Sequence, residues 1–447
     1  MLRLIYNGLA ALAAVLVPQY LSAKIKEDPS LAERVRQNRL IYPDNLWDPL
    51  KNRPVFWIHA ASVGEAAAAA PILEEIRKLL PEAALAASLI THTGYATAKR
   101  LLAKADVLFY LPPDSQGNVR YLINKIQPSV FVAVETELWP NLLKELNDHE
   151  CALVLANGRI SDQSHWGYPW LGPLLKDMLS RIDLFLMQSE QDADRIRDLG
   201  AYPDRIIVTG NTKYDNPQPI WNEQIEEKWR KIFHLKSDEI LWIAGSTHAG
   251  EEGIILDIFS RLRDDFPNLR LLLAPRKIER SREIEELALE RKMQTSRRSS
   301  EDCGSEVILL DTIGELAGIY MLGEIVYVGG SLVPIGGHNI MEPMACGKPV
   351  LVGPHMENFK EVAEFCLETG AIRQIRDGET LYQNMHELLS DTELLHAMGE
   401  QGQAVIAVNQ GVAIRTAEEV AKLWHPIVKE KIYKNDISKS SHRKRRG

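Results

Sequence analysis

The chain has 447 residues, 45% of them hydrophobic and 25% charged, with a formal net charge of −9. That balance is ordinary for a soluble globular enzyme, and the length suggests two to three domains with cores of their own. The acidic excess argues against a general nucleic-acid binder, whose footprint would be basic. Four scattered cysteines (Cys151, Cys303, Cys346, Cys366) give neither a disulfide framework nor a metal-site spacing, and they fit a reducing compartment.

Leu4 to Ala23 contains no charged residue and is just long enough to cross a bilayer, although Asn7, Pro18, Gln19 and Ser22 interrupt it. It reads as a membrane anchor or as an apolar helix docked on the protein or lying in the membrane surface. A cleaved signal peptide would offer small residues at both cleavage positions, where Leu21 and Ala23 offer only one. Basic residues between Lys24 and Arg39, and again at Arg443 to Arg446, suit anionic headgroups at about 1 kcal/mol per residue. A solvated tail accounts for the second cluster as well.

From Val55 onward short apolar runs alternate with amphipathic stretches, the pattern of βα units on parallel sheets. The runs predict strands at Val55–Ala60, Leu85–Thr91, Val107–Leu111, Val130–Val134, Ala152–Ala156, Leu184–Met187 and Ile206–Thr209, with helices such as Leu73–Leu80 and Ala193–Leu199 between them. Asn216 to Pro219 is linker-like, and Trp221–Phe233 predicts a helix. The alternation then resumes with strands at Leu241–Ala244, Leu269–Ala274, Val307–Leu310, Ile325–Val328 and Pro349–Val352. Helices are expected at Glu252–Arg263, Arg280–Arg291 and Phe359–Glu368, and helical patterns run from Leu381 to about Lys431. The chain therefore divides into an apolar and basic segment (1–45), two Rossmann-like α/β domains (50–212 and 235–410) and a closing helix with a basic tail (411–447). Ligands of open α/β sheets bind beyond the carboxyl ends of the strands, so the loops there are where chemistry is sought.

Three loops of the second half stand out. Gly329 to Pro343, after the strand Ile325–Val328, contains Gly329, Gly330, Ser331, Gly337, Asn339 and Glu342. Its glycines let backbone approach a ligand, and a helix starting near Asn339 would aim free N–H groups at a phosphate, with Glu342 placed for a ribose diol. Gly245 to Glu251 supplies Ser246, Thr247 and His248 at a helix start, part of which an N-cap explains. Pro275 to Arg280 adds Arg276, Lys277 and Arg280, positive charge suited to an anionic ligand. Together they describe a pocket for a phosphorylated nucleotide.

In the first half, His59 to Glu65 places Ser62 and Glu65 at the spacing of a capping box. Pro71 prefers the start of a helix, so the helix would begin near Ala70. A turn at Gly64 then holds Glu65 out as an ionised catalytic carboxylate. Glu135 and Glu137 follow the strand Val130–Val134, where an unpaired carboxylate is seldom there for packing. Arg159 and Lys213 lie in neighbouring loops and suit negative groups of a substrate.

The motifs His59–Glu65, Glu135–Asn141, Gly245–Glu251 and Gly329–Pro343, in this order, resemble the 3-deoxy-D-manno-octulosonic acid (Kdo) transferases of lipopolysaccharide assembly. The resemblance runs from the apolar segment to about Gln410. It implies a GT-B fold, two Rossmann-like domains facing each other across a cleft, with the first binding acceptor and the second binding nucleotide sugar. It also implies transfer of Kdo from CMP-Kdo to the lipid A precursor (lipid IVA), inverting and without metal or other cofactor, at the cytoplasmic face of the inner membrane. Glu65 would be the general base, and Arg276, Ser246–His248, Gly329–Gly330, Asn339 and Glu342 would hold CMP. One departure is Lys277, where the family usually has histidine. Other readings remain open: a different GT-B nucleotide-sugar transferase or epimerase, or a non-catalytic membrane-associated nucleotide binder in which Glu65 only caps a helix. A dinucleotide oxidoreductase is disfavoured because no GxGxxG follows the first strand.

Overall fold

The computed structural model describes residues 2–215, 223–300 and 303–424. Two helices open the chain, α1 (Leu2–Lys24) and α2 (Ala32–Asn38). The rest builds two compact units, Met1–Asn216 with Gly411–Gly447, and Pro217–Gln410.

The first unit carries β1 (Val55–His59), β2 (Ala84–Leu89), β3 (Val107–Tyr110), β4 (Val130–Val134), β5 (Ala152–Gly158), β6 (Leu184–Met187) and β7 (Ile206–Val208). They form one parallel sheet in the order β3-β2-β1-β4-β5-β6-β7. Helices cover both faces, which is why these strands are continuous apolar runs rather than alternating ones. Every residue of β1, β2 and β4 is buried. One face packs Trp57 edge-on against Phe131 with ring centres 5.0 Å apart. The other buries Phe56, Ile72 and Leu85, joined by Ala417 and Val420 from the helical residues 412–424.

The second unit repeats the plan with β8 (Ile240–Thr247), β9 (Leu269–Pro275), β10 (Thr295–Arg297), β11 (Val307–Leu309), β12 (Ile325–Val328), β13 (Val350–Val352) and β14 (Ile372–Gln374). The order is β10-β11-β9-β8-β12-β13-β14, again parallel throughout. Trp242, Phe259, Tyr327 and Leu351 lie in its core. In each sheet the winding reverses once, between β1 and β4 and between β8 and β12. Such switch points splay the loops apart and open a crevice at the strands' carboxyl ends.

Sequence patterning misses β10 and β14, three-residue edge strands that are only partly buried and so lack an apolar run. The expected strand Leu85–Thr91 stops at Leu89, because the Thr91 side chain accepts from the Gly94 N–H and caps the helix His92–Leu101. The closing helical pattern resolves into Gly378–Ser390, Thr392–Asn409 and 412–424. The linker Asn216–Pro219, Trp221 of the expected helix, the chain beyond 424 and the basic cluster Arg443–Arg446 lie outside the described residues.

α1 is the one described helix long and apolar enough to cross a membrane. It lies along the first unit rather than standing away from it. Arg3 pairs with Asp177 at 3.1 Å, the Tyr6 hydroxyl donates to Asp114 Oδ2 at 2.7 Å, and Arg39 donates to Ser22 Oγ at 2.9 Å. Ala10, Pro18 and Leu21 are buried beneath it, while Leu4, Leu9, Leu12, Val15 and Leu16 stay exposed on the far side.

Candidate functional site

At the first switch point β1 ends on His59, and the turn Ala60–Ser62 feeds α3 (Val63–Leu79). Ser62 is extended and caps this helix: its hydroxyl accepts from the Glu65 N–H (3.4 Å) and donates to Glu65 Oε1 (3.0 Å). The Ala61 N–H donates to Glu65 Oε2 at 2.5 Å. The expectation that Pro71 delays the helix to Ala70 is thus wrong. The Ser62–Glu65 cap starts the helix at Val63, and Pro71 is buried inside it, in an alanine-rich stretch. Gly64 lies in the first helical turn, where an added Cβ would meet only Ser62 Oγ at 4.0 Å, so no glycine-dependent turn exists there. The glycine that matters is Gly94, whose Cβ would meet the Ser62 carbonyl carbon at 3.1 Å and the Ala61 oxygen at 3.3 Å.

Glu65 was expected to remain ionised because of the helix start. Burial and the nearby Glu137 charge instead push its carboxyl up to about 7, and the Ala61 and Ser62 hydrogen bonds only partly oppose them. Glu137 behaves oppositely. Burial raises it, but the His59 ring (Nε2 to Oε2, 3.3 Å) and the Trp139 indole N–H (2.7 Å) outweigh that and hold it below the usual carboxylate range. His59 is fully buried, its other ring nitrogen 2.8 Å from Ser88 Oγ. Two neighbouring carboxyls pushed apart in this way are suited to different protonation roles.

Glu135 sits at the end of β4 with φ 62°, a left-handed conformation that aims it away from the strand's course. Lys213 Nζ lies 3.9 Å from its Oε1. The Thr136 hydroxyl donates to the Arg159 carbonyl at 2.7 Å, and Asn157 Oδ1 accepts from the Thr212 N–H at 2.9 Å. These bonds tie the loops after β4, β5 and β7 together, and with them Glu135, Arg159 and Lys213.

At the second switch point the paired strands slip register between Gly245 and Thr247, and Ser246 takes φ 57° there. Thr247 ends β8 with its hydroxyl buried rather than presented in a loop. Gly329 makes the close approach possible: a Cβ would lie 2.6 Å from both Ser246 O and Thr247 Cα. The two loops are joined by Glu251, which is wholly buried. Its carboxylate accepts from the N–H groups of His248 (2.8 Å), Gly330 (2.8 Å), Ser331 (3.1 Å) and Leu332 (3.0 Å) and from the Tyr327 hydroxyl (2.6 Å).

The N–H groups of Gly330 and Ser331, in the loop that the resemblance assigns to CMP, are therefore already occupied. Ser331 is also fully buried, its hydroxyl donating to Val328 O and accepting from the Gly353 N–H. Gly337 has φ 72° and donates to the Gly330 carbonyl at 2.8 Å. The helix expected near Asn339 is the single turn Met341–Ala345, too short for much of a macrodipole. Asn339 Oδ1 accepts from the Met341 N–H (3.0 Å), and its amide donates to Glu342 Oε1 (3.1 Å). Burial raises the Glu342 carboxyl, with Asn339 and Arg276 opposing.

His248 and His338 stack at 5.1 Å, with their Nε2 atoms 2.8 Å apart. Burial and the Arg276 charge push His338 down to about 4, and burial lowers His248 as well. Arg276 itself is exposed and makes no ion pair among the described residues, and Lys277 beside it is exposed too. Arg280 is not available to a ligand, being held by Glu252 (2.7 Å) and Glu283 (2.8 Å). Among the described residues no group of three or more His, Cys, Asp or Glu could hold a metal ion.

Sequence reasoning overlooked His59, Glu251 and His338 as site residues. Each stands inside a motif the sequence displays, but its role is set by partners 78 (His59), 79 (Glu251) and 90 (His338) residues away along the chain.

Residues 33–216 match the family model described as 3-deoxy-D-manno-octulosonic-acid transferase (kdotransferase). The chain is 33% identical over 420 residues to the 3-deoxy-D-manno-octulosonic acid transferase of Haemophilus influenzae, covering 93% of this chain and 97% of the relative. It is 32% identical to a bifunctional glycosyltransferase/methyltransferase of Fusobacterium nucleatum, covering 94% of this chain and 65% of that one. Among solved structures, the UDP-GlcNAc 2-epimerase of Neisseria meningitidis bound to UDP-GlcNAc superposes with a TM-score of 0.57 at 14% identity, over 83% of this chain and 99% of that one. That last likeness speaks for the fold alone, an α/β fold of GT-B type.

Proposed function

We infer the reaction from one premise: the chain belongs to the 3-deoxy-D-manno-octulosonic acid transferases, the glycosyltransferases that add Kdo in lipopolysaccharide biosynthesis. The donor is CMP-Kdo and the acceptor the lipid A precursor, lipid IVA, and transfer inverts the anomeric centre without a metal. The observation that carries this reading is Glu65, a half-buried carboxyl at a switch point, with its proton affinity raised to near neutrality. A base so tuned accepts a proton from the acceptor hydroxyl at physiological pH. The hydroxyl oxygen bonds to the anomeric carbon as the bond from that carbon to the CMP phosphate oxygen breaks. The electron pair leaves with CMP.

Charge builds on the leaving phosphate, and the unpaired Arg276 is the side chain suited to meet it. The backbone N–H groups of His338, Asn339 and Ile340 have no protein acceptor among the described residues and supply further donors. Ser246, held in its left-handed turn, and the two stacked histidines line the same strand ends. Glu342 suits the ribose. Glu135, Lys213 and Arg159 suit the acceptor side.

The same reading places the chain at the cytoplasmic face of the inner membrane, with α1 lying in the bilayer surface rather than spanning it. Crossing would break the Arg3–Asp177 and Tyr6–Asp114 contacts. The exposed Leu and Val side chains along α1 supply apolar surface for a membrane, and Trp166 and Trp170 of the same unit are exposed as well. Each such side chain buried from water contributes on the order of 1–2 kcal/mol.

The test is CMP release from CMP-Kdo in the presence of tetraacylated lipid A precursor. Acceptor-dependent release is expected, cut by roughly 10²–10⁴ in Glu65→Gln, the scale of general-base help. No release by the unaltered chain sinks the reading. Undiminished release by the variant leaves Glu65 as a helix cap only.

A further inference from the structure

Between α1 and the loops that leave β2, β3 and β4, the first unit forms a half-open cavity of about 390 Å³, the size of a small-molecule site. Its body is apolar, walled by Ala10, Ala13 and Val17 of α1 and by Ile90, Leu111 and Trp139. One end is polar. There Asp114 is satisfied, accepting from Tyr6, the Asn141 N–H and the Leu142 N–H.

Arg34 and Asn38 of α2, at the same cavity, are not satisfied. Arg34 Nε and Asn38 Oδ1 are shut off from solvent and bond to nothing among the described residues, and Asn38 is only 4% exposed. A guanidinium N–H and an amide oxygen left without partners in an apolar chamber are destabilising unless a ligand completes them. The structure thus presents an apolar pocket bordered by one unpartnered donor, the Arg34 Nε–H, and one unpartnered acceptor, Asn38 Oδ1, which is the complement of a fatty acyl group whose head carries both an acceptor oxygen and an N–H or hydroxyl donor.

We propose that this cavity receives one acyl chain of the acceptor lipid, its methylenes among the apolar walls, its head carbonyl oxygen accepting from the Arg34 Nε–H and a head N–H or hydroxyl donating to Asn38 Oδ1. The proposal rests on the reading above that the acceptor is an acylated lipid. Two further observations fit it. Leu9 lines the cavity and is also 62% exposed on the outer face of α1, so the chamber adjoins the surface read as membrane-facing. Trp139 lines the cavity and donates to Glu137, the carboxylate whose charge raises Glu65. An acyl chain seated here abuts the group that positions the base, and the sugar head is left at the strand ends.

The experiment uses the full chain in detergent micelles with tetraacylated lipid A precursor carrying brominated acyl chains, which quench nearby tryptophan. Quenching should occur, and the component lost in Trp139→Phe should be the dominant one. Ala13→Phe, which fills the chamber, and Arg34→Gln, which leaves its walls intact, should each weaken that quenching about tenfold or more, the scale of one lost charge-assisted hydrogen bond or one blocked site. The same two variants should raise KM for the acylated acceptor while leaving KM for CMP-Kdo unchanged. Transfer to the deacylated sugar should be unaltered in both. Quenching that ignores Trp139, or that persists unchanged in Arg34→Gln, overturns the proposal, whatever the transfer assay gives. Full quenching in a chain that releases no CMP supports the cavity and overturns the catalytic reading instead.

Discussion

The two units repeat one architecture and use its switch point in opposite ways. After β1 and β4 the chain crowds carboxyls: Glu65 is pushed up to about 7 while Glu137 is held low by His59 and Trp139. After β8 and β12 it crowds donors and neutral imidazoles, with His338 pushed down to about 4. Both crevices set a residue in a left-handed turn at a strand end, Glu135 in one and Ser246 in the other. The fold thus supplies the place, and the local partners set its charge.

The sharpest way to break the comparison is Glu65→Gln, with its expected loss of roughly 10²–10⁴ in acceptor-dependent CMP release. If the rate follows Glu65, it should also fall as pH drops below about 7, because the base must shed its proton. Glu137→Gln should move that limb to lower pH by removing a like charge, and a pH–rate profile of both chains reads it.

Next in size is Glu251→Gln. Replacing an acceptor of five hydrogen bonds with an amide that turns N–H toward N–H should destabilise the second unit by about 3–5 kcal/mol. Urea denaturation measures the loss.

The two crevices should also give opposite pH signatures in stability. The folded Glu65 binds its proton more tightly than the unfolded chain does. Its stabilisation is complete below about 4.5 and is lost as pH climbs through about 7. His338 binds its proton less tightly when folded, so its contribution is complete above 6.5 and is lost as pH falls toward about 4. Urea midpoints at pH 5 and pH 8 should therefore rise at pH 8 in Glu65→Gln and at pH 5 in His338→Gln. The smallest effect belongs to Gly64→Ala, which fills an open helical position and should gain about 0.5–1 kcal/mol with activity retained.

Much of this was legible from the residues alone. Strands buried on both faces announce themselves as apolar runs, so the ends of the central strands of each sheet fall at most three residues from their expected places, the largest gap being β8, expected to end at Ala244 and ending at Thr247. Glu135, directly after the apolar run of β4, stood out as a carboxylate with little packing reason, whereas Glu65 stood at capping-box spacing, and the structure shows that cap. What could not be read was partnership across the chain. His59 meets Glu137 at a separation of 78 residues, and Glu251 meets Gly330 at 79. Neither pairing leaves a local pattern. Pro71 misled because proline's preference for a helix start is a statistical prior, and the Ser62 cap nine residues earlier outweighed it.

The buried Glu251 has one more consequence. Loops rich in glycine are floppy before a ligand arrives, and ordering them ordinarily subtracts from affinity. Here the chain furnishes its own anion, and the backbone of both loops closes around it during folding. A nucleotide would therefore meet a receptor whose shape is already set, and most of its contact energy would remain available to hold the leaving group rather than to assemble the walls.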